Sequence, residues 1–123
     1  MWKLLVLAGI GGFLGTVCRF LVNRLFMFYW KISFPLATFT INVVGCFLFG
    51  LLFGLMAKTG NIPAKLYNFL IVGFCGGFTT FSTFSFESFN LSLSGDSLIS
   101  IFYVISSVTL GILAVWLGLA FTR

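Results

Sequence analysis

The stretch Gly73–Phe84, GFCGGFTTFSTF, decides the fold because it places a glycine pair inside a long apolar segment. It also carries four hydroxyl side chains and no charged residue. Paired glycines favour a bend or break in a helix. Backbone that is broken at membrane depth must be covered by protein or by water. We therefore predict an interrupted helix, with the break near Gly76-Gly77.

The composition of the whole chain predicts an integral membrane protein. Of 123 residues, 60% are hydrophobic and 7% are charged, and the mean hydropathy is +1.18. Because soluble domains carry roughly a quarter charged residues, a soluble fold would leave large apolar surfaces uncovered. The net charge of +5 comes from basic residues near the ends of apolar segments. These mark a membrane surface, and we expect no nucleic acid partner.

Four apolar segments are long enough to cross a membrane, which takes about 20 residues. They cover approximately Leu4–Phe28, Pro35–Ala57, Leu66–Leu91 and Ser97–Phe121. Short polar connections separate them, and the alternating ten-residue segments typical of transmembrane barrels do not occur. We predict a single transmembrane domain over residues 1–123, an all-α bundle of four helices with the third one broken.

The positive charge near the ends of these segments is weakly biased. Four basic residues fall on one side and two on the other, namely Lys3, Lys58, Lys65 and Arg123 against Arg24 and Lys31. Because this bias sets orientation, insertion in one orientation and insertion in both remain open. Four helices fill their own centre, so a transported ion needs a path formed by more than one copy.

Small residues spaced four apart predict close contacts between helices. The three pairs are Gly11 with Gly15, Gly50 with Gly54, and Gly73 with Gly77. The spacing alone does not say which helices meet. The chain has no histidine, and its three cysteines all lie inside apolar segments, so we interpret the cysteines as small packing residues.

Polar side chains inside the first, second and fourth segments mark either function or packing. Arg19 keeps its charge, so it snorkels, bonds to loop carbonyls or draws an anion into a vestibule. Thr38 and Asn42 are four residues apart and share one helix face, and Asn42 offers an amide donor to an anion or to another helix. Tyr103 and Ser107 have the same spacing. Their hydroxyls form an anion ladder or bond back to their own helix.

The third segment carries the other candidates. Phe81 and Phe84 are three residues apart, so their rings fall on one face. The positive ring edges suit contact with an anion, and core or lipid contact is the alternative. Hydroxyls at Ser82 and Thr83 lie beside them, and carbonyls freed by the break suit a hard cation such as sodium. Glu87 lies near the end of the segment, where we expect a structural or vestibule role.

The run Gly76–Ser85, GGFTTFSTFS, followed by Glu87, closely resembles the signature of the CrcB/Fluc family of fluoride channels. Two further motifs resemble those of the first and second helices of that family: Gly11-Gly12 through Gly15 to Arg19, and Pro35 through Thr38 and Asn42 to Gly45. The resemblance covers the whole chain. Two positions depart from the pattern, Ala37 where glycine is usual and Gly111 where some members have serine.

The resemblance implies a fluoride-selective passive channel in the cell inner membrane, which exports fluoride from the cytoplasm and relieves its toxicity. It implies an antiparallel homodimer of dual topology within membrane lipid, with a structural sodium ion at its centre. Backbone carbonyls of Gly76 and Thr79 from both copies would hold that sodium, and Arg19 and Glu87 would lie at the vestibule. The residues implied along the fluoride path are Thr38, Asn42, Phe81, Ser82, Thr83, Phe84, Tyr103 and Ser107.

Two other functions are weighed against this one. A small proton-coupled exporter of drugs or other cations, built as a dual-topology dimer, needs a membrane-embedded glutamate in its first helix, and Leu4–Phe28 has none. A membrane scaffold without transport has no need for Asn42 together with Phe81 and Phe84. We expect no enzyme, because the chain offers neither paired carboxylates nor a nucleophile with its base.

Overall fold

The computed structural model describes all 123 residues as helices joined by short connections. The elements in chain order are α1 (Trp2–Tyr29), α2 (Leu36–Ala57), α3 (Ala64–Leu66), a π-helix (Tyr67–Cys75), α4 (Gly76–Phe78), α5 (Phe81–Leu93) and α6 (Ser97–Ala120). The elements from α3 to α5 together form the third span, Ala64–Leu93. Glycines with positive φ, at Gly60 and Gly95, make the turns before and after that span.

Four helical stretches are long and apolar enough to cross a membrane, with mean hydropathies of 2.0, 2.1, 1.5 and 2.3 along the chain. The predicted all-helical membrane fold is therefore confirmed. Two of the four spans are longer than predicted: α1 begins at Trp2, and the third span runs from Ala64 to Leu93. The helices α2 and α6 are each one residue shorter than predicted. Helix ends fray, so hydropathy locates them only to within about one or two residues.

The third span is interrupted, as predicted, but the interruption lies at Thr79 and Thr80 and not at the glycine pair. Thr79 has φ −79° and ψ 158°, and Thr80 has φ −148° and ψ 122°, so both are extended. Gly76 and Gly77 are helical and belong to α4. Threonine is β-branched and disfavours the helix slightly, and its hydroxyl can bond the backbone in place of a helical partner.

Gly77, the second residue of the pair, instead allows close packing between α1 and the third span. A Cβ added at Gly77 would collide with the backbone carbonyl of Gly12. Likewise, a Cβ at Gly11 would collide with the Phe69 carbonyl, and one at Gly15 with the Phe74 carbonyl. These backbones come this close because each glycine carries no side chain toward its neighbour. The predicted helix contacts through these glycines are confirmed, and the structure identifies the partners.

The remaining glycine pair packs α2 against α6. A Cβ at Gly50 would collide with the Val115 carbonyl, and one at Gly54 with the hydroxyl of Thr122. On the α6 side, a Cβ at Gly118 would collide with the Phe47 carbonyl. The two packed pairs, α1 with the third span and α2 with α6, place the break at Thr79 beside Gly45 of α2.

Candidate functional site

The amide of Asn42 holds the backbone at the interruption. Its Oδ1 accepts a hydrogen bond from the Thr80 N–H at 2.8 Å, and its Nδ2 donates to the Thr80 carbonyl at 3.0 Å. Both polar backbone groups of one extended residue are thus satisfied by one side chain of α2. Asn42 was predicted as a donor to an anion or to another helix. The structure shows the second role, and one N–H of its Nδ2 is left over, because the group has two.

Thr80 also caps the N-terminus of α5. Its Oγ1 accepts from the Thr83 backbone N–H at 3.3 Å and bonds the Thr83 hydroxyl at 3.1 Å. The Ser82 hydroxyl lies 3.4 Å from the same Oγ1. This is a helix N-cap, for which threonine is among the preferred residues. The predicted hydroxyls at Ser82 and Thr83 are therefore gathered at the first turn of α5.

Arg19 reaches the other side of the interruption. Its Nε donates to the Gly77 carbonyl at 3.0 Å, and the Thr16 hydroxyl lies 3.5 Å from the same oxygen. Of the three roles weighed for Arg19, the structure shows bonding to a backbone carbonyl. The guanidinium keeps its charge, so a positive charge is fixed next to the break.

The Thr79 carbonyl at the interruption accepts no hydrogen bond within the chain. Hydrogen bonds outside the regular helices and from side chains end on the carbonyls of Cys75, Gly77 and Thr80, and none ends on Gly76 or Thr79. An unpaired carbonyl inside a membrane protein costs free energy. Thr79 is one of the two residues predicted to bind a cation, and its carbonyl oxygen has no donor within the chain.

A second group of predicted residues meets around Glu87. The Thr38 hydroxyl donates to its Oε1 and the Tyr103 hydroxyl to its Oε2, both at 2.8 Å. Tyr103 is fully buried, and its ring packs edge-on against Phe84 with centroids 5.1 Å apart. The carboxylate of α5 thus ties α2 and α6 together, through hydroxyls that the sequence marked as anion donors.

The two signature phenylalanines differ in environment. Phe84 is 9% exposed, whereas Phe81 is 79% exposed on the surface of one copy. Their ring centroids lie 5.8 Å apart at 46°, so they adjoin as the spacing predicted. Phe81 borders an open cavity of about 590 Å³ that also contacts Asn42, Thr79 and Thr80.

Ser107 lies one helical turn beyond Tyr103 on α6. Its Oγ is buried and has no hydrogen-bond partner, the only side-chain nitrogen or oxygen of the chain in that state. A buried hydroxyl without a partner costs free energy, and such a group calls for an explanation. It is therefore available to a ligand that the chain itself does not supply.

Sequence reasoning missed the part played by Thr80 and by the Gly77 carbonyl. The threonine lies three residues before Thr83 at the start of a helix, which is the cap pattern and was a usable signal. No sequence pattern indicates that Arg19 bonds the Gly77 carbonyl, because every residue has a backbone carbonyl and the choice depends on how the helices pack. The π-helix Tyr67–Cys75 was also not predicted.

Comparison with known proteins agrees with the signature. A family model described as CrcB-like protein, Camphor Resistance (CrcB), matches residues 6–119. The chain is 42% identical to a fluoride-specific ion channel FluC of Flavobacterium psychrophilum, with 98% of each chain covered. It is 43% identical to the protein of that name from Azobacteroides pseudotrichonymphae, over 100% of this chain and 98% of the relative.

A third relative of that name, from Pseudomonas putida, is 41% identical over 100% of this chain and 99% of its own length. The matches span all four membrane helices and both groups of polar residues described above. The chain belongs to the CrcB family.

Proposed function

We propose that this protein is a fluoride-selective channel of the bacterial inner membrane through which fluoride leaves the cytoplasm passively. The observation that carries the proposal is the likeness to fluoride-specific ion channels along the whole chain, at 41–43% identity. The signature from Gly76 to Ser85 lies within that match. The protein is a multi-pass membrane protein and, like its relatives, an ion channel and not an enzyme.

The residues suit a small, strongly hydrated anion. A selective path must replace the water around the ion with donors. The chain offers the hydroxyls of Thr38 and Tyr103 beside Glu87, the unpartnered Ser107 hydroxyl and the ring edges of Phe81 and Phe84. None of these groups carries positive charge, so an ion that binds is also able to leave.

Glu87 and fluoride would compete for the same hydroxyl protons. Thr38 and Tyr103 each donate to one carboxylate oxygen, and a hydroxyl has one proton to donate. We propose that fluoride takes up these donors as it passes and returns them to Glu87 when it moves on. The carboxylate then keeps the donors aligned while the path is empty.

We further propose that two copies pair in antiparallel orientation. The exposed Phe81 ring and the open cavity beside it leave an apolar surface at the level of the break, and a second copy would cover it. The weak bias of basic residues is compatible with insertion both ways. The fluoride paths would then run between the copies, because one copy has a filled centre.

A sodium ion at the centre of this dimer would be held by the carbonyls of Gly76 and Thr79 from each copy. Hard cations prefer oxygen ligands, no side chain donates to either carbonyl, and the Thr79 carbonyl accepts no backbone N–H. The residues therefore fit the ion. When bound, it would supply positive charge that offsets the four carbonyl dipoles and holds the two breaks together.

Replacing sodium by N-methylglucamine during purification is expected to weaken the dimer, because four carbonyls would then face one another uncompensated. Cross-linking in detergent should show a larger monomer fraction than in sodium buffer, and fluoride efflux should fall with it. Restoring sodium should lower the monomer fraction and raise fluoride efflux again, whereas adding more N-methylglucamine should change neither. A dimer equally stable in either buffer would exclude the sodium proposal and leave the fluoride proposal intact.

Replacing Phe81 by isoleucine is expected to lower fluoride efflux at least about tenfold, because an aliphatic side chain has no positive ring edge. Liposomes are loaded with potassium fluoride, valinomycin is added, and a fluoride electrode follows the release. Parallel liposomes with potassium chloride should release little anion, which tests selectivity.

Phe86→Ile is the matched control for this experiment. Phe86 lies on the same helix and is also exposed, at 64%, but it does not border the cavity. It should retain wild-type efflux. Equal loss in the two variants would assign the effect to folding, and equal retention would remove Phe81 from the path.

A further inference from the structure

An apolar groove lies between the end of α2 and the start of the third span. Its volume is about 210 Å³ and its lining is almost entirely apolar. Leu52, Leu55 and Met56 of α2 lie along one wall, Leu66 and Leu70 of the third span lie along the other, and the connection between the two helices contributes the rest. None of its residues belongs to the proposed fluoride path or borders the open cavity beside Phe81.

The groove is open to the surroundings of the protein at the level where the spans begin and end. Leu55 and Leu66, on opposite walls, are 50% and 43% exposed. They lie in the last turn of α2 and the first turn of the third span. The volume is below the range of about 300–1,000 Å³ that is usual for small-molecule pockets. The groove therefore suits part of one lipid acyl chain better than a whole soluble ligand.

Two lysines lie at the mouth of this groove. Lys58 is the C-cap of α2 and directly precedes Thr59, which lines the groove. Lys65 directly precedes Leu66. Both lysines are exposed, and consecutive Cα atoms are about 3.8 Å apart, so both side chains start at the rim. Lysines near span ends extend their ammonium groups toward the lipid headgroups.

These two positive charges have no acidic partner in the chain. The only acidic residues are Glu87 and Asp96, which lie toward and beyond the other end of the third span. With a rise of about 1.5 Å per residue, the stretch from Lys65 to Glu87 covers about 30 Å. Exposed charges are largely screened beyond about 8 Å at physiological salt. A negative group from outside the chain is needed to balance the lysines.

We propose that this groove binds an anionic phospholipid, with one acyl chain against Leu55 and Leu66 and the phosphate within reach of Lys58 and Lys65. Basic pockets between membrane helices recognise anionic lipid headgroups, and here an apolar groove continues from the basic pair. A zwitterionic lipid carries an ammonium group that the lysines repel, so the anionic lipid is favoured. The proposal does not depend on fluoride conduction.

Native mass spectrometry of the full-length protein tests this site. The protein is released from maltoside micelles that contain equal amounts of phosphatidylglycerol and phosphatidylcholine with the same acyl chains. We expect one phosphatidylglycerol retained per chain, in at least about threefold excess over phosphatidylcholine. Equal retention of the two lipids would overturn the proposal.

Replacing both Lys58 and Lys65 by glutamine is expected to lower phosphatidylglycerol retention at least about threefold, to the level of phosphatidylcholine. Arg24→Gln combined with Lys31→Gln is the matched control, because it removes the same number of positive charges at the other end of the spans. This control should retain phosphatidylglycerol as the wild type does. Equal loss in both double variants would show a general effect of charge and would overturn the proposal.

The apolar half of the site has its own test. Leu66→Trp places a larger side chain in the groove and keeps both lysines, and it should lower phosphatidylglycerol retention at least about threefold. Leu98→Trp is the control, since Leu98 is 84% exposed on α6 and lies outside the groove. Wild-type retention by Leu66→Trp would mean that the lysines act without the groove, which contradicts the proposal.

A second copy of the chain is the competing occupant of the groove. The same spectra separate monomers from dimers, so they report the lipid bound to each. Retention of phosphatidylglycerol on dimers as well as on monomers is the expected result. Retention on monomers alone would show that the second copy covers the groove, and the lipid proposal would fail. Fluoride efflux is not measured, so neither result bears on the proposed channel function.

Discussion

Replacing Asn42 by leucine is expected to reduce fluoride efflux to the leak of protein-free liposomes. The side chain satisfies both backbone groups of Thr80, at 2.8 and 3.0 Å. Leucine has a similar size but no polar group, so the Thr80 N–H and carbonyl would be left unpaired at membrane depth. Each unpaired group costs roughly 1–3 kcal/mol or more, and the chain would move Thr80, together with Phe81, to escape that cost.

Asn68→Leu provides the matched control for this variant. Asn68 is also an asparagine within a helical span, but its Nδ2 donates to the carbonyl of Ala64 one turn earlier. It holds no part of the break, so efflux should stay close to wild type. The electrode assay described for Phe81 measures both. Wild-type efflux from Asn42→Leu would mean that the break keeps its shape without this amide.

Replacing Gly77 by alanine is expected to destabilise the fold, because the added methyl group has no room between α1 and the third span. Its Cβ would collide with the Gly12 carbonyl and lie 3.0 Å from the Gly12 Cα. Backbone cannot rotate away as a side chain can, so α1 and the third span must separate. Overpacking of this kind costs about 1–3 kcal/mol, and the separation would also stretch the bond from Arg19 to the Gly77 carbonyl.

Thermal unfolding in detergent, followed by circular dichroism, measures this loss. Gly9→Ala is the control. Gly9 lies on α1, as does Gly12, but a Cβ at Gly9 would meet nothing within 4 Å. We expect Gly9→Ala to melt near the wild-type temperature and Gly77→Ala well below it. Equal melting temperatures would show that the contact between α1 and the third span is looser than the structure has it.

The sequence was sufficient for the spans and for the presence of a break, because both follow from local composition. A run of about twenty apolar residues is typical of a membrane span, and a glycine pair followed closely by four hydroxyl residues favours a break. The position of the break was off by two to three residues. Glycine is a weak helix former, but Gly77 is held in helix by its contact with Gly12, a tertiary effect that no local pattern encodes.

The site was predictable as a set of residues but not as a set of bonds. Spacing of four put Thr38 and Asn42 on one face of α2, and the structure sends them to different partners, Glu87 and Thr80. That separation depends on which part of the third span lies opposite each turn of α2. The register between helices depends on glycine contacts between segments that are far apart in the sequence. It therefore cannot be predicted from residue spacing within one helix.

The interruption at Thr79 and Thr80 also divides the third span electrically. A helix carries about half a positive charge at its N-terminus and half a negative charge at its C-terminus. One continuous span would place both poles at the membrane surfaces, where water screens them.

Here the helical half that ends at Phe78 and the half that begins at Phe81 bring two opposite poles into the middle of the membrane. The negative pole lies at the end of α4, near the carbonyls of Gly76 and Thr79, and the positive pole lies at the start of α5, at Phe81. The span has no charged residue between Lys65 and Glu87. The two-residue interruption nevertheless places a region of negative potential, which favours a cation, next to a region of positive potential, which favours an anion.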